Sequence, residues 1–172
     1  DVNNWVTRSL MAECGESKGR VSATHELTEE KQGIFHFTIG PYTDPVMTVS
    51  PGDRIAVETR DAFSGLIKTE QDKPSEKIRM PFANPQNGPI MVEGAEPGDA
   101  LAVHIEQMQP RGEQPRGTCA MIPEFGALTG TYYTATLNDP LPEVVRKIVV
   151  TDEAVEWSQR VTLPYQPHIG TL

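Results

Sequence analysis

The sequence predicts a mainly β fold, a sandwich or barrel-like assembly of repeated hairpins with long loops and minor helix. Composition supports this prediction, because the 172 residues include 15 prolines and 14 glycines but only 6% aromatic residues. Proline and glycine interrupt regular structure often, and the apolar runs between them are short and rich in β-branched residues. A segment that occurs twice in the chain is the second observation.

The duplicated segment spans residues 44–58 and is answered by residues 88–104. Each copy reads as a short β-branched run, a Pro-Gly-Asp turn and an alternating run. Proline presets φ at the first corner of such a turn, and glycine tolerates the positive φ of the second. When the copies are aligned on their turns, Asp61 of the first copy corresponds to Gln107 of the second.

The remaining elements are predicted from local pattern. Val6, Leu10 and Met11 weakly indicate one short helix near the start of the chain. The predicted strands outside the copies are Ile34–Ile39, Thr129–Thr136, a hairpin of Val144–Val150 with Ala154–Trp157, and Val161–Leu163. For domain organisation we expect an N-terminal extension with the first strand over residues 1–37, followed by one domain over residues 38–172.

Charge and hydropathy exclude several classes of partner. The formal net charge is −9 and the pI is near 4.9, so binding to nucleic acid or to an anionic membrane is not expected. No apolar run approaches the roughly 20 residues needed to cross a bilayer. We expect a cytoplasmic protein, although a chain that begins at Asp1 leaves secretion open. Cys14 and Cys119 are predicted to be free thiols.

Asp61 is the first candidate for chemistry. Strand alternation places Ile55, Val57 and Thr59 on one face, and Asp61 continues that face. A carboxylate on an apolar face is costly unless it is paired, bound to metal or functional. The alternative is that Asp61 starts a turn, faces water and caps backbone N–H groups.

The acidic cluster Glu93–Asp99 is the second candidate. Glu93, Glu96 and Asp99 could bind a hard cation such as Ca²⁺ or supply a general base. Against this, Asp53 occupies the same turn position in the other copy as Asp99, which favours an ordinary turn role. Glu93 is harder to dismiss, because it precedes a glycine that would let another backbone approach.

Four motifs give the chain a resemblance to the acetamidase/formamidase family. They are Pro45–Val49 with Pro51–Asp53, Asp61–Gly65, Asn84–Asp99 and Pro167–Gly170. The resemblance implies hydrolysis of a small carboxamide to carboxylate and ammonia by a mostly β, homo-oligomeric protein. It also implies that a divalent metal, zinc or calcium, could be bound, and no organic cofactor is expected.

With this resemblance, six residues become candidate site residues. Asp61 is expected to act as a base or orienting carboxylate, Glu93 as a second acid/base or metal-associated carboxylate, and His168 as a proton carrier. The substrate-binding candidates are Phe63, Asn87 and Gly88. The alternatives are a non-catalytic β scaffold or binding subunit, and a hydrolase of a lactam or peptide-like amide.

Members of the resembled family continue past the point where this sequence stops. We therefore expect a second chain that continues after Leu172, formed by processing of a longer precursor. In other self-processed hydrolases the new N-terminal residue is the nucleophile and its amine is the base.

Overall fold

A computed structural model of the chain describes the backbone of residues 5–13 and, with side chains, residues 21–126, 129 and 139–169. Over these ranges the fold is mainly β with little helix, as predicted. The two helices are single turns, α1 (Glu29–Gln32) and α2 (Pro74–Lys77). The strands are β1 (Trp5–Glu13), β2 (Thr24–Leu27), β3 (Met47–Val49), β4 (Arg54–Glu58), β5 (Ile90–Val92), β6 (Ala102–Pro110), β7 (Arg116–Met121), β8 (Val144–Val150), β9 (Ala154–Ser158) and β10 (Val161–Pro164).

The chain divides into two compact units. The repeat unit, named for the duplicated segment, takes its described residues from Asn4–Thr59, Pro85–Arg111 and the last stretch from Gln166. The Asp61 unit takes its described residues from Arg60–Asn84 and Gly112–Tyr165. Residue 37 lies inside the repeat unit, and the expected division into an extension and a domain stays a prediction.

The repeat unit shows how the two copies are arranged. Its larger sheet has the order β2-β4-β1-β6, in which β1 is antiparallel to both β4 and β6. The short strands β3 and β5 pair in parallel with each other. The two strands of a copy therefore lie in different sheets, and the expectation of a hairpin within each copy is wrong. Strands β4 and β6 each pair with β1, which lies outside the copies, instead of pairing within their own copy.

The core of the repeat unit confirms the strand alternation. Leu27, Val49, Ile55 and Val57 form a buried cluster, and Ile55 and Val57 alternate with the more exposed residues of β4. The partly buried hydrophobic residues packed against this cluster come from β3, β5 and the residue before β3; they are Val46, Met47, Ile90 and Val92. The apolar faces of both copies thus contribute to one core.

Two predicted elements of the repeat unit are corrected. The weak helix around Leu10 is instead part of the nine-residue strand β1, because pairing on both sides overrides a weak local pattern. The strand predicted over Ile34–Ile39 is a loop with one isolated bridge between His36 and Gln86. Along the predicted face Phe35 is buried at 8% exposure and Phe37 is half-buried, but Ile39 is 73% exposed, so the apolar pattern is only partly buried and forms no strand.

The Asp61 unit contains a second four-stranded sheet, with the order β10-β9-β8-β7 and antiparallel pairing throughout. The predicted hairpin is confirmed as β8 and β9, and the predicted final strand as β10. The strand expected over Thr129–Thr136 falls almost entirely outside the described residues.

Candidate functional site

The Asp61 carboxylate organises its own loop. Strand β4 ends at Glu58, so Asp61 does not extend the apolar strand face, and that part of the expectation is wrong. Its Oδ1 accepts a hydrogen bond from the Phe63 N–H at 2.9 Å, and Oδ2 accepts from the Gly65 N–H at 2.6 Å. The capping role is therefore confirmed, but the side chain is half-buried rather than fully in water.

The backbone of this loop fits the same geometry. Ser64 and Gly65 have φ values of 52° and 76°, in the region that favours glycine and is unusual for other residues. The Ser64 N–H donates to the Asp61 carbonyl at 2.9 Å, closing a tight turn. Each carboxylate oxygen keeps a further lone pair after accepting one backbone bond. The loop therefore holds an anionic acceptor in a defined orientation.

A lysine that sequence reasoning missed lies close enough to Asp61 to interact with its charge. Lys147 on β8 is half-buried, and burial lowers the pKa of its side chain while the Asp61 carboxylate opposes that shift. Its Nζ donates to the Ile67 carbonyl at 3.1 Å and to Thr118 Oγ1 at 2.6 Å. The available signal was a lysine on the same strand face as the buried Val145.

Glu93 lies in the repeat unit, next to the end of β3. Its Oε2 accepts from the Ser50 hydroxyl at 2.6 Å, and its backbone N–H donates to the Val49 carbonyl at 2.7 Å. The residue is exposed. A Cβ atom built on Gly94 would meet nothing within 4 Å, so the expectation of a close backbone approach at this glycine is wrong.

The rest of the acidic cluster has the turn role that the alternative predicted. Asp99 Oδ2 accepts from the Glu96 N–H at 2.9 Å, and both residues are exposed. The same bond in the first copy joins Asp53 and the Ser50 N–H at 3.0 Å. Among the residues that the structure describes, no group of three or more His, Cys, Asp or Glu side chains is placed to hold a metal ion. The expected divalent metal stays a prediction.

The backbone of Gly88 is bound by a residue that no sequence pattern singled out. The buried amide of Gln32 accepts from the Gly88 N–H at 2.7 Å and donates to the Gly88 carbonyl at 3.0 Å. The Gly88 N–H is thus not available as a donor to a substrate. Gln32 is the last residue of the single-turn helix α1, and nothing in its local sequence announces this contact.

Asn87 is tied to a small charged network in the repeat unit. Its side-chain N–H donates to the Glu58 carbonyl at 3.0 Å. The Glu58 carboxylate in turn accepts from the Glu29 N–H at 3.0 Å and lies 3.2 Å from the Arg111 guanidinium. Arg111 also pairs with the Glu29 carboxylate at 3.3 Å. Asn87 is therefore bonded to the last residue of β4, whose carboxylate is in turn bound by α1 and by Arg111, the residue after β6.

The six predicted site residues are distributed between the two units. Asp61 and Phe63 lie together in one loop of the Asp61 unit, where the Phe63 N–H binds the Asp61 carboxylate. The others lie in the repeat unit: Asn87, Gly88, Glu93 and His168. Asn87 and Gly88 are adjacent and separately anchored, Glu93 is bound by Ser50, and His168 is exposed.

The family match identifies the class to which this mainly β chain belongs. The chain belongs to the Acetamidase/Formamidase family, whose model matches residues 20–172. The resemblance stated from the four sequence motifs is therefore confirmed. It extends further toward the start of the chain than those motifs do.

Solved structures of related proteins agree with this family. An acetamidase from Yersinia enterocolitica is 65% identical with a TM-score of 0.82, over 89% of this chain and 46% of that one. A recombinant predicted acetamidase/formamidase from the thermophile Thermoanaerobacter tengcongensis is 27% identical with a TM-score of 0.64, over 84% and 43%. An acetamidase from Bacillus halodurans, 24% identical with a TM-score of 0.61 over 84% and 44%, shares the fold.

The chain spans less than half the length of these related structures. In the described part of the chain, no helix is long and apolar enough to cross a membrane. The expected companion chain, the homo-oligomer and the cytoplasmic location are not tested by these observations and stay predictions.

Proposed function

We propose that the protein hydrolyses the C–N bond of a small carboxamide, with water as co-substrate, to give a carboxylate and ammonia. The family match over residues 20–172 is the observation that supports this activity. The 65% identity to an acetamidase supports a short linear amide as the substrate class.

Amide hydrolysis needs an attacking oxygen, a group that accepts its proton, and donors for the oxyanion of the tetrahedral intermediate. We assign Asp61 to the first part of this chemistry, as the carboxylate that orients the attacking water or accepts its proton. Its support is geometric, since the Phe63 and Gly65 N–H groups fix both oxygens while lone pairs remain for a further donor.

The other candidate site residues have the following places in the proposal. Phe63, in the same loop as Asp61, is proposed to contact the substrate. Asn87 stays a predicted substrate contact, and Gly88 is proposed to shape its own loop rather than to donate, because Gln32 occupies its N–H. Glu93 and His168 of the repeat unit are both exposed. Their expected roles, Glu93 as an acid/base or metal-associated carboxylate and His168 as a proton carrier, stay predictions. No step of this proposal uses a metal, because no described cluster of side chains fits one.

The proposal is tested with Asp61→Asn and a matched control, Asp72→Asn, in the full-length protein. We expect Asp61→Asn to reduce ammonia release from formamide or acetamide by at least ~100-fold, the scale of a general-base contribution. Asp72 also caps two backbone N–H groups with one carboxylate, at 2.7 and 2.8 Å. Because the amide oxygen of asparagine can still accept hydrogen bonds, the control reports the effect of neutralising a loop-capping carboxylate to which no chemistry is assigned.

Two outcomes would contradict the assignment. Equal turnover losses in the two variants would make Asp61 a loop cap only. A wild-type protein that releases no ammonia from any short amide would remove the proposed activity itself. A panel that includes lactams and peptide-like amides, assayed with and without chelator, separates the linear-amide proposal from its alternatives.

A further inference from the structure

The segment that begins at Asp61 is fixed at its far end by Lys147. This segment, residues 61–67, ends at Ile67, which is 1% exposed. The Ile67 carbonyl accepts from Lys147 Nζ at 3.1 Å, and the same Nζ donates to Thr118 Oγ1 at 2.6 Å. Thr118 faces Lys147 across the β7–β8 ladder. The lysine thus joins the end of the segment to the rigid sheet of its unit.

The charges around Lys147 come from each element packed against it. Asp61 and Asp72 attract the ammonium group, and Arg116 on β7 repels it. Glu70 binds the backbone of the lysine, because its Oε1 accepts the Lys147 backbone N–H at 3.0 Å. A half-buried cation is costly unless it is compensated. Here one carbonyl oxygen, one hydroxyl oxygen and the carboxylates of Asp61 and Asp72 compensate it.

We propose that Lys147 is a positioning residue for the hydrolysis proposed above. Its ammonium group holds residues 61–67 against the sheet and places a positive charge near the Asp61 carboxylate, so that this carboxylate keeps one orientation. The inference rests on the proposed function for its catalytic consequence. Lys147 acts through Asp61 and is not assigned a contact with substrate.

Three variants of the full-length protein test this role. Lys147→Met removes the charge and both hydrogen bonds while keeping much of the length of the side chain. Lys147→Arg keeps the charge and the ability to donate. The matched control is Arg146→Met, since Arg146 is the neighbouring cation on the same strand, is exposed and points to the other face of the sheet.

We expect Lys147→Met to lower kcat for ammonia release by about 10–100-fold with KM changed less than about threefold, the pattern of a lost transition-state interaction. Lys147→Arg should recover to within about 10-fold of wild type, and Arg146→Met should match wild type. Wild-type kcat should also fall at alkaline pH as the ammonium group loses its proton. Because burial lowers the pKa of Lys147, this fall should begin at a pH below the ordinary lysine pKa of about 10.4. This decline should be absent in Lys147→Arg, because arginine stays charged.

Amide hydrogen exchange supplies a readout that does not depend on activity. The Phe63 and Gly65 N–H groups are bonded to the Asp61 carboxylate, so loosening of the segment should speed their exchange. We expect at least about 10-fold faster exchange over residues 61–67 in Lys147→Met, but not in Arg146→Met or Lys147→Arg. If Lys147→Met does not fold, Thr118→Val, which removes one partner of Nζ, should give the same changes at smaller size.

The outcomes separate the inference from the function on which it rests. Unchanged exchange over residues 61–67, or unchanged kcat, in Lys147→Met would overturn the positioning role. Lys147→Arg as inactive as Lys147→Met would also overturn it, because a proton-transfer role would then replace a charge role. A wild type inactive on all amides would refute the proposed function, and the exchange data would still decide whether Lys147 holds the segment.

Discussion

Replacing Gln32 by leucine is expected to destabilise the repeat unit strongly. Gln32 is 4% exposed, and its amide satisfies both the N–H and the carbonyl of the buried Gly88, at 2.7 and 3.0 Å. Leucine is similar in size but can replace neither bond. A buried polar group left without a partner costs about 1–3 kcal/mol, so the two groups of Gly88 together should cost about 2–5 kcal/mol after relaxation. The free energy of unfolding of a typical domain is only about 5–15 kcal/mol.

The third bond of Gln32, to the Ile34 carbonyl at 2.9 Å, adds little to this figure. Ile34 is 74% exposed, and water can replace the lost donor there. The cost therefore comes from Gly88, which immediately follows Asn87. Loss of the two Gln32–Gly88 hydrogen bonds should therefore loosen the loop that carries Asn87, the predicted substrate contact.

Urea unfolding measures this effect directly. With an m value of about 2 kcal/mol/M, the expected loss lowers the urea midpoint by about 1–2.5 M with m unchanged. The control is Gln114→Leu at an exposed position, where a change of less than about 0.5 kcal/mol is expected. A Gln32→Leu midpoint that matches the control would refute the reasoning, since it would mean that the Gly88 groups find other partners at no cost.

Two further predictions concern aspartates. The carboxylate of the buried Asp53 accepts hydrogen bonds that include those from the Ala23 and Ser50 N–H groups and from His25 Nε2, so Asp53→Ala should cost about 2–4 kcal/mol in urea unfolding. The same substitution at the exposed Asp99 should cost less than about 1 kcal/mol, and equal losses would contradict the role of burial. The hydrogen bond from Lys77, then those from the backbone, hold the pKa of Asp72 well below its usual range. Its stabilising contribution is therefore present above the unfolded pKa of about 3.9 and is lost as pH falls below it. The free energy of unfolding should fall less steeply below pH ~4 in Asp72→Asn than in wild type, and parallel acid limbs would disprove this.

The sequence predicts those parts of the fold that local pattern determines. The alternation of Ile55 and Val57 and the hairpin of β8 and β9 are found as expected, because each depends on residues a few positions apart. Strand β1 was missed, since its nine residues are held by ladders to β4 and β6. Those partners lie far along the chain, and a weak local period does not reveal them.

The candidate site divides in the same way. The Asp61 turn could be predicted because its contacts reach only two and four residues along the chain. By contrast, 56 positions separate Gln32 from Gly88, and 80 separate Ile67 from Lys147. Hydrogen bonds over such separations exist only after the strands have paired, so residue types and spacings do not predict them.

The duplicated segment shows how one local sequence can serve two purposes. Both Pro-Gly-Asp turns form, and both aspartates cap the N–H three residues earlier. After the turns the copies diverge: β6 continues through Gln107 to Pro110, paired with β1, whereas β4 ends at Glu58. A carboxylate at position 61 in a continuing strand would have no backbone N–H within its own segment to bind. Because the backbone leaves the sheet before Asp61, its carboxylate finds two such donors in its own loop. The aspartate in the first copy therefore fits a loop, and the glutamine at the corresponding position of the second copy fits a continuing strand.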